Sequence, residues 1–336
     1  MSYSVTLISG DGIGPEVAEA TKRAVNATGV KIEWEPVELN EAVILKAGQV
    51  LPQAVLDSLD RTKIGLKGPV TTPIGGGFPS VNVALRKKLD LFANVRPVRT
   101  LPGVKTRYMD VNIDMVIFRE NTEDVYSGLE HEVIKDVVES LKIITRYASI
   151  RIAKAAFDYA KREGRKKVTA VHKANIMKLS DGLFLRCCRE VAAENPEIQY
   201  KELIVDNASM QIVMRPETFD ILLMPNLYGD IVSDLAAGLV GGLGIVPGAN
   251  MGEQYAVFEA VHGSAPDIAG KGMANPTALM LSAVMMLKHL GEQDASVRLQ
   301  AAVEAVYAEG KRTTRDVGGS VGTGEFTDAV VSRLNS

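Results

Sequence analysis

The stretch Asn226-Leu-Tyr-Gly-Asp230-Ile-Val-Ser-Asp234 is the part of the sequence that best indicates the fold. It follows an apolar run at 219–224 that is typical of a buried strand, and it precedes an Ala/Leu/Gly run at 235–239 that is typical of a packed helix. Asp230 and Asp234 are four residues apart and therefore share one helix face. In an open α/β sheet ligands bind beyond the carboxyl ends of strands, and two carboxylates there suit Mg²⁺ or Mn²⁺. The alternative is an ordinary solvated carboxylate pair, which the helix dipole also favours.

Length and composition restrict the class of protein. The 336 residues are too many for one ordinary core, so two domains or one large α/β unit are expected. A formal net charge of -3 gives no electrostatic footprint for nucleic acid or for an anionic membrane. Cys187 and Cys188 are adjacent and cannot meet the geometry of an ordinary disulfide. Since nothing at the N-terminus marks the chain for export, we expect a cytoplasmic protein that acts on a small molecule.

Apolar runs alternate with amphipathic runs along the chain. Strands are predicted at 5–8, 31–37, 63–66, 91–96, 111–118, 167–171, 200–205, 219–224 and 257–259. Helices are predicted at 41–46, 52–61, 81–89, 140–162, 180–194, 277–290, 296–309 and 326–334. This alternation predicts an α/β fold built on a parallel-type sheet.

Two glycine-rich loops are candidates for binding. Gly10, Gly12 and Gly14 lie between the first strand and a helix start, as in a dinucleotide fingerprint. However, their spacing is G-x-G-x-G-P, without the last glycine of the G-x-G-x-x-G pattern, where helix and strand must approach closely. An ordinary Rossmann site is therefore not favoured. The second loop, 68–79, is too long for a simple connector and is predicted to bind a ligand. Ser80 after it is predicted to cap the helix 81–89, with Asn82 and Arg86 on one face.

Polar side chains repeatedly follow the predicted strands, at Arg96, Arg119, Lys173, Asp206 and the Asp230/Asp234 pair. We expect them to meet at one edge of the sheet. Arg86, Arg96 and Arg119 together favour a substrate with two or three carboxylates, although each alone is more readily explained as a surface ion-pair partner. Asp206, Asp230 and Asp234 provide three oxygen ligands for Mg²⁺ or Mn²⁺.

Two residues are candidates for proton transfer. Lys173 is a candidate base, because an amine near a metal and several arginines is driven towards its neutral form. Tyr126 is a candidate acid. The alternatives are a solvated lysine and a half-buried aromatic ring. His172 and His262 lack the spacing of metal ligands.

Seven motifs together resemble the β-decarboxylating dehydrogenases, the isocitrate/isopropylmalate dehydrogenase family, and are most similar to its NAD-dependent isocitrate dehydrogenases. The motifs are Thr71-Thr-Pro-Ile-Gly-Gly-Gly, Ser80-x-Asn82-x-x-x-Arg86, Asn94-Val-Arg-Pro97, Arg119-Glu-Asn-Thr-Glu, Val171-His-Lys-Ala-Asn175, Asn226-Leu-Tyr-Gly-Asp-Ile-x-Ser-Asp234 and His262-Gly-Ser-Ala-Pro-Asp. They extend over nearly the whole chain. The resemblance implies a large mixed sheet flanked by helices plus a smaller α/β domain, and not a Rossmann fold. It implies a large domain of residues 1–98 and 250–336, a smaller domain of residues 99–249, and a homodimer with shared active sites or a larger oligomer.

The resemblance also implies roles for individual residues. Isocitrate would be bound by Ser80, Asn82, Arg86, Arg96, Arg119 and Asn175. Asp206, Asp230 and Asp234 would bind the metal, and Tyr126 and Lys173 would be the acid–base pair. NAD would contact Thr72, His262, Gly263, Ser264, Ala265, Pro266, Asp267, Ile268 and Asn275.

The implied reaction is the oxidative decarboxylation of isocitrate to 2-oxoglutarate and CO₂ with reduction of NAD. Homoisocitrate and 3-isopropylmalate dehydrogenases are the alternatives within the family, but Ser80 and Asn82 favour the polar γ-carboxylate of isocitrate. A non-catalytic regulatory subunit is a further alternative, and the presence of Tyr126, Lys173 and all three aspartates argues against it. A phosphoryl-transfer enzyme is not favoured, because no P-loop lysine pattern accompanies the Asp pair.

Overall fold

A computed structural model describes residues 2–72 and 80–335 of the chain. The part of loop 68–79 that includes Gly75, Gly76, Gly77 and Phe78 lies outside these ranges. The strands are β1 (Ser2–Ile8), β2 (Lys31–Val37), β3 (Ile64–Lys67), β4 (Ala93–Arg99), β5 (Asp114–Glu120), β6 (Glu130–Ile134), β7 (Val137–Ser140), β8 (Lys167–His172), β9 (Gln199–Ile204), β10 (Ile221–Met224), β11 (Pro247–Met251) and β12 (Ala256–Ala260). The α-helices are α1 (Gly14–Ala27), α2 (Glu41–Ala47), α3 (Gln53–Thr62), α4 (Val81–Lys88), α5 (Arg146–Glu163), α6 (Ser180–Ala193), α7 (Val205–Met214), α8 (Asn226–Val240), α9 (Thr277–His289), α10 (Gln293–Glu309) and α11 (Thr323–Leu334).

A single ten-stranded sheet runs through the molecule in the order β2-β1-β3-β12-β11-β4-β5-β10-β8-β9. The strands on either side pair in parallel, whereas β11 pairs antiparallel with both β12 and β4, and β4 pairs antiparallel with β5. The sheet is therefore mixed, as the family resemblance implied. The parallel-type sheet predicted from the βα alternation is wrong at the centre. There β4 and β5 are joined without a helix, and antiparallel pairing needs no helical crossover.

Helices cover the sheet and enclose three apolar clusters. The largest cluster includes residues of α1, α8, α9, α10 and α11. A second lies beneath α5 and α6, and a third lies beneath α2, α3 and α4. Strands β1 to β3 and β12 occupy one end of the sheet, and β5, β10, β8 and β9 occupy the other. The exact boundary between the two expected domains stays a prediction.

The region before α5 differs from the sequence-based expectation. A single helix was predicted over 140–162, but β6 and β7 form a separate two-stranded hairpin and α5 begins only at Arg146. Thr145 caps the helix, since its side chain accepts a hydrogen bond from the Ala148 backbone N–H at 3.1 Å. The hairpin is exposed along both strands, so burial gives it no periodic pattern from which it could have been predicted.

The glycine turn between β1 and α1 brings two other loops together. Gly12 has a φ of +59°, and a Cβ there would lie 1.9 Å from the backbone oxygen of Ser264. The Ile13 N–H donates to that same oxygen at 2.9 Å, and the Asp11 N–H donates to the Pro69 oxygen at 2.7 Å. The turn therefore holds the loops that begin near Pro69 and His262 against each other.

Two further features bear on the initial expectations. Cys187 and Cys188 are unbonded to each other and buried on α6. Among the helices of the described ranges, none combines the length and apolar character required to cross a bilayer.

Candidate active site

The polar strand ends surround a cavity of about 250 Å³ beside the centre of the sheet. Its described lining contains the cations Lys67, Arg86, Arg96 and Arg119 and the carboxylates Asp230 and Glu259. Ser80, Asn82, Tyr126, His262 and Gly263 also line it. The lining therefore carries an excess of two positive charges in its ordinary ionisation state. Such a cavity favours a polyanionic ligand.

The helix α4 positions three of the predicted substrate residues. Ser80 caps the helix, because its side chain accepts a hydrogen bond from the Val83 N–H at 3.5 Å. Asn82 and Arg86 follow one turn apart and face the cavity. The capping role and the shared face predicted from the sequence are confirmed.

Arg96 and Arg119 project from the adjacent strands β4 and β5 and are buried. Burial, followed by the neighbouring charges of Arg119 and Arg86, lowers the pKa of Arg96 to about 10. Arg119 donates through Nε to Asn226 at 2.8 Å and is paired with Asp230. The Arg119 side chain crosses α8 at Gly229, and a Cβ on Gly229 would lie 2.4 Å from the Arg119 Cγ. Only glycine at this position lets the arginine pack against the helix start.

A buried network behind the arginines was not predicted from the sequence. Glu259 accepts from Lys67 at 2.5 Å, from Arg86 at 3.1 Å and from Asn250 at 2.7 Å. Burial alone would raise the pKa of Glu259, but the charges of Lys67 and Arg86 outweigh it and hold the pKa well below its usual range. Asn94 donates to Asn250 at 2.8 Å and extends the network across the central strands. The positions of Lys67 and Glu259 at strand ends were the available sequence signal.

The aspartates of α8 differ in their surroundings. Asp230 lines the cavity and accepts hydrogen bonds from Arg119 and from the Tyr126 hydroxyl. Burial opposes ionisation of Asp230, yet Arg119, Tyr126 and Arg96 together lower its pKa. Burial raises the pKa of Asp234, which lies 3.5 Å from Arg96. Tyr126 has a raised pKa because of its burial and its hydrogen bond to Asp230, so it is protonated near neutral pH.

Lys173 and Asp206 form a separate pair. The Lys173 Nζ donates to the Asp206 carboxylate at 2.5 Å, and this bond is the main cause of the lowered pKa of Asp206. Neither residue lines the cavity. Over residues 2–72 and 80–335, no three His, Cys, Asp or Glu side chains are grouped closely enough to hold a metal ion. The expectation that all the polar strand ends meet in one site is therefore wrong within a single chain, and Lys173 has a carboxylate as its neighbour.

The predicted cofactor residues lie on the loop 262–268 and beside it. Ser264 accepts from the Thr71 hydroxyl at 2.9 Å, Asp267 is exposed, and Thr72 accepts from the Val81 N–H at 3.2 Å. The remaining members of this loop are His262, Gly263, Ala265, Pro266 and Ile268. Asn275 is buried and donates to Tyr307 at 3.1 Å and to Asp316 at 2.9 Å. Asn175 is exposed on the turn after β8.

Several buried polar atoms of the described chain that face the cavity lack a hydrogen-bond partner. They are Asn82 Oδ1, Arg86 Nε, Arg96 Nε and His262 Nε2. Buried polar groups in folded proteins are almost always paired, so such a concentration marks a place where a polar ligand completes the bonding. Burial lowers the pKa of His262, which keeps that ring neutral near pH 7.

Residues 4–330 match the family described as isocitrate/isopropylmalate dehydrogenase. A relative from Arabidopsis thaliana, named mitochondrial NAD isocitrate dehydrogenase catalytic subunit 5, is 56% identical over 332 residues, covering 98% of this chain and 88% of its own. The chloroplastic 3-isopropylmalate dehydrogenase of Solanum tuberosum is 57% identical over 307 residues, covering 91% and 85%.

A crystal structure of isocitrate dehydrogenase from Methylococcus capsulatus superposes with a TM-score of 0.95 at 49% identity, covering 99% of this chain and 100% of that chain. The expectations of family and fold are thereby confirmed. The chain belongs to the isocitrate/isopropylmalate dehydrogenase family.

Proposed function

We propose that the protein oxidatively decarboxylates isocitrate to 2-oxoglutarate and CO₂ while reducing NAD. The observation that carries this proposal is the cavity lined by Arg86, Arg96, Arg119 and Lys67, with its excess of positive charge and its unpartnered polar atoms. Three buried guanidinium groups suit the bidentate binding of several carboxylates on one small molecule. The names of the relatives that act on isocitrate agree with this substrate.

The chain's own groups support isocitrate over 3-isopropylmalate. Ser80 and Asn82 present a hydroxyl and an amide on the face of α4 that borders the cavity. A third carboxylate accepts hydrogen bonds from the Ser80 hydroxyl and the Asn82 amide N–H groups, whereas an isopropyl group offers these donors no acceptor. Because the chain is also 57% identical to a 3-isopropylmalate dehydrogenase, the comparison of activity on isocitrate and on 3-isopropylmalate decides the substrate.

Asp230, Asp234 and Asp206 fit a divalent cation by their chemistry, since all three offer carboxylate oxygens. Asp230 and Asp234 lie one helical turn apart, and Asp230 is kept ionised by Arg119. When bound, NAD⁺ would accept hydride from C2 of the hydroxy acid, and Mg²⁺ or Mn²⁺ would stabilise the negative charge that develops as CO₂ is lost.

Proton transfer is assigned to Lys173 and Tyr126. In its neutral form, Lys173 accepts the hydroxyl proton of the substrate, which is relayed through its hydrogen-bonded neighbour Asp206. Tyr126 supplies the final proton, because its raised pKa keeps the hydroxyl protonated and its Asp230 hydrogen bond orients it at the cavity. The presence of these groups also argues against a non-catalytic regulatory role.

We infer that the complete site forms between two copies of the chain. Lys173 and Asp206 do not line the cavity, so a second copy is needed to bring such a pair to it. Exposed apolar side chains on or beside the elements that carry Lys173, Asp206 and Asp230 support an interface there, namely Ile176, Leu179, Met210, Met214 and Ile231. The exposed hairpin β6–β7 offers Ile134 and Val138 in addition. A homodimer with shared sites, or a larger oligomer built from it, is therefore proposed, and the reducing cytoplasm is the proposed compartment.

A substrate panel tests the activity. Purified protein is assayed for NADH formation with isocitrate, homoisocitrate and 3-isopropylmalate, each with NAD⁺ and Mg²⁺. We expect the highest kcat/KM for isocitrate. A higher value for 3-isopropylmalate would assign that substrate, and no turnover with any of the three would refute the proposed catalytic function.

A further inference from the structure

Asp181 is a fully buried carboxylate that the proposed reaction does not use directly. It lies in the first turn of α6, and its side chain is completely inaccessible to solvent. Its Oδ2 accepts the backbone N–H of Lys173 at 2.6 Å and the hydroxyl of Tyr228 at 3.1 Å. Its Oδ1 is ion-paired with the Lys142 Nζ at 2.7 Å. A buried charge with three such partners is costly to disturb.

The bond to Lys173 is made where the sheet ends. β8 pairs with β9 up to His172, so the Lys173 N–H is the first beyond the ladder. Asp181 supplies the acceptor that the sheet no longer offers. The Lys173 carbonyl in turn accepts the N–H groups of Ile176 and Met177, both at 2.9 Å. The backbone of Lys173 is thereby held on both sides, and its side chain leaves from a fixed point.

The same carboxylate is connected to the helix that carries Asp230. Tyr228 lies on α8, two residues before Asp230, and the Lys142 Nζ sits 4.2 Å from the centre of its ring. Asp124 accepts the Leu227 N–H at 2.9 Å at the start of the same helix, and Lys142 lies 3.9 Å from that carboxylate. One buried network therefore joins the Lys173 turn to the first turn of α8.

We propose that Asp181 is a positioning residue, which fixes Lys173 relative to α8 through its backbone hydrogen bond and its contacts with Tyr228 and Lys142. The inference rests on the proposed function in so far as Lys173 transfers a proton. Proton transfer requires the reacting atoms to be within hydrogen-bond reach, so a small displacement of Lys173 lowers turnover more than substrate binding.

The test variant is Asp181→Asn, which keeps the size and one acceptor but removes the charge. We expect kcat to fall about 10- to 100-fold and KM for isocitrate to change less than about threefold. Tyr228→Phe, which retains the Asp181 charge and is the milder change, should lower kcat in the same direction by a smaller factor. If Asp181→Asn fails to fold, Tyr228→Phe carries the test.

The matched control is Asp220→Asn, a carboxylate directly before β10 that accepts backbone N–H groups at the opposite end of β8 from Lys173. Asp220 accepts the N–H groups of Lys166 at 2.7 Å and Lys167 at 2.9 Å and is paired with Arg165 at 3.1 Å. It therefore makes the same kinds of bond far along β8 from Lys173. The control should retain the wild-type kcat, and an equal loss of kcat in both variants would overturn the positioning role.

Two further measurements separate this inference from the proposed function. In a Lys173→Ala background, Asp181→Asn should cause little additional loss of kcat, because its effect acts through Lys173; multiplicative losses would contradict the proposal. The second measurement is backbone hydrogen exchange in the folded protein, followed in the peptide that contains Lys173, and it does not depend on enzymatic activity. Exchange should quicken in Asp181→Asn and not in Asp220→Asn, even if the enzyme has another substrate. Unchanged exchange in Asp181→Asn would refute the inference while leaving the proposed reaction intact.

Discussion

At the scale of single residues, the site depends on fully or partly buried charges that compensate one another. Asp230 is kept ionised by Arg119, and Glu259 is kept ionised by Lys67 and Arg86. Each carboxylate also restrains the guanidinium or ammonium group it faces. The cavity therefore keeps its positive excess without mobile side chains, which reduces the entropy lost when a polyanion binds.

The first prediction concerns Asp230→Asn. The substitution keeps the side chain's size but removes the charge proposed to bind Mg²⁺ or Mn²⁺. We expect the metal concentration that gives half-maximal activity to rise and kcat to fall by orders of magnitude, while the circular dichroism spectrum stays unchanged. Mn²⁺ binding followed by electron paramagnetic resonance checks the affinity directly. Wild-type metal affinity in this variant would remove Asp230 from the proposed ligand set.

The second prediction concerns cofactor choice at Asp267. The side chain is exposed on the loop proposed to contact adenosine, and a carboxylate there accepts hydrogen bonds from ribose hydroxyls and repels a 2′-phosphate. We expect kcat/KM to be higher with NAD⁺ than with NADP⁺. Asp267→Asn should narrow the difference chiefly through KM for NADP⁺. Faster turnover of the wild type at limiting NADP⁺ would show that this interpretation of Asp267 is wrong.

At the scale of elements, the start of α5 is bonded to the carboxylate of Glu123, whose pKa is raised. Glu123 accepts the Thr145 N–H at 2.9 Å and the Thr145 hydroxyl at 2.8 Å, next to the cap of the helix. Burial is the main cause that raises the pKa of Glu123 to about 7. The folded state therefore binds a proton that the unfolded state has released between roughly pH 4.5 and 7.

The third prediction follows from the sign of this linkage. Because the native state binds more protons in that window, the Glu123 contribution to stability decreases as pH rises through it. In Glu123→Gln this contribution is absent, so the free energy of unfolding should decline less between pH 5 and pH 8 than in the wild type. Urea unfolding at both pH values measures the difference. Glu19→Gln, at an exposed site, is the control and should follow the wild type.

Elements with strong periodicity were predictable from the sequence, and contacts between distant residues were not. The strand before Asp230, the helix after it and the Ser80 cap follow from local spacing and capping chemistry. The pair Lys67–Glu259 joins residues 192 positions apart, which no spacing reveals. β6 and β7 are exposed along their length, so neither alternation nor burial marks them. The strand ends alone do not predict the separation of Lys173 from the cavity, because they carry no information on symmetry; only the family resemblance, which implies active sites shared between two chains, predicts it.

At the scale of the whole molecule, the fourth prediction is that two copies share each site. Arg119 and Lys173 would come from different chains, so isolated monomers should be inactive. Arg119→Ala and Asp206→Ala, each nearly inactive alone, are unfolded, mixed and refolded together. About half of the dimers are then mixed, and one site in each carries neither defect.

Recovered activity should approach about a quarter of the wild-type value for independent sites in a two-fold dimer. Arg119→Ala mixed with itself is the control and should recover nothing. If each site lay wholly within one chain, every site would keep one defect. No recovery after verified subunit exchange would therefore refute the shared site.

The continuous ten-stranded sheet has a mechanical consequence for substrate entry. Two halves joined by a flexible linker could rotate freely, but here they are joined through backbone hydrogen bonds of β11, β4 and β5. A rotation of one half against the other would therefore twist these central strands. Asn94 and Asn250 lie opposite each other on two of them and belong to the network of Glu259. Such a twist would therefore also move the charged groups that line the cavity, since Glu259 is bonded both to Asn250 and to Arg86.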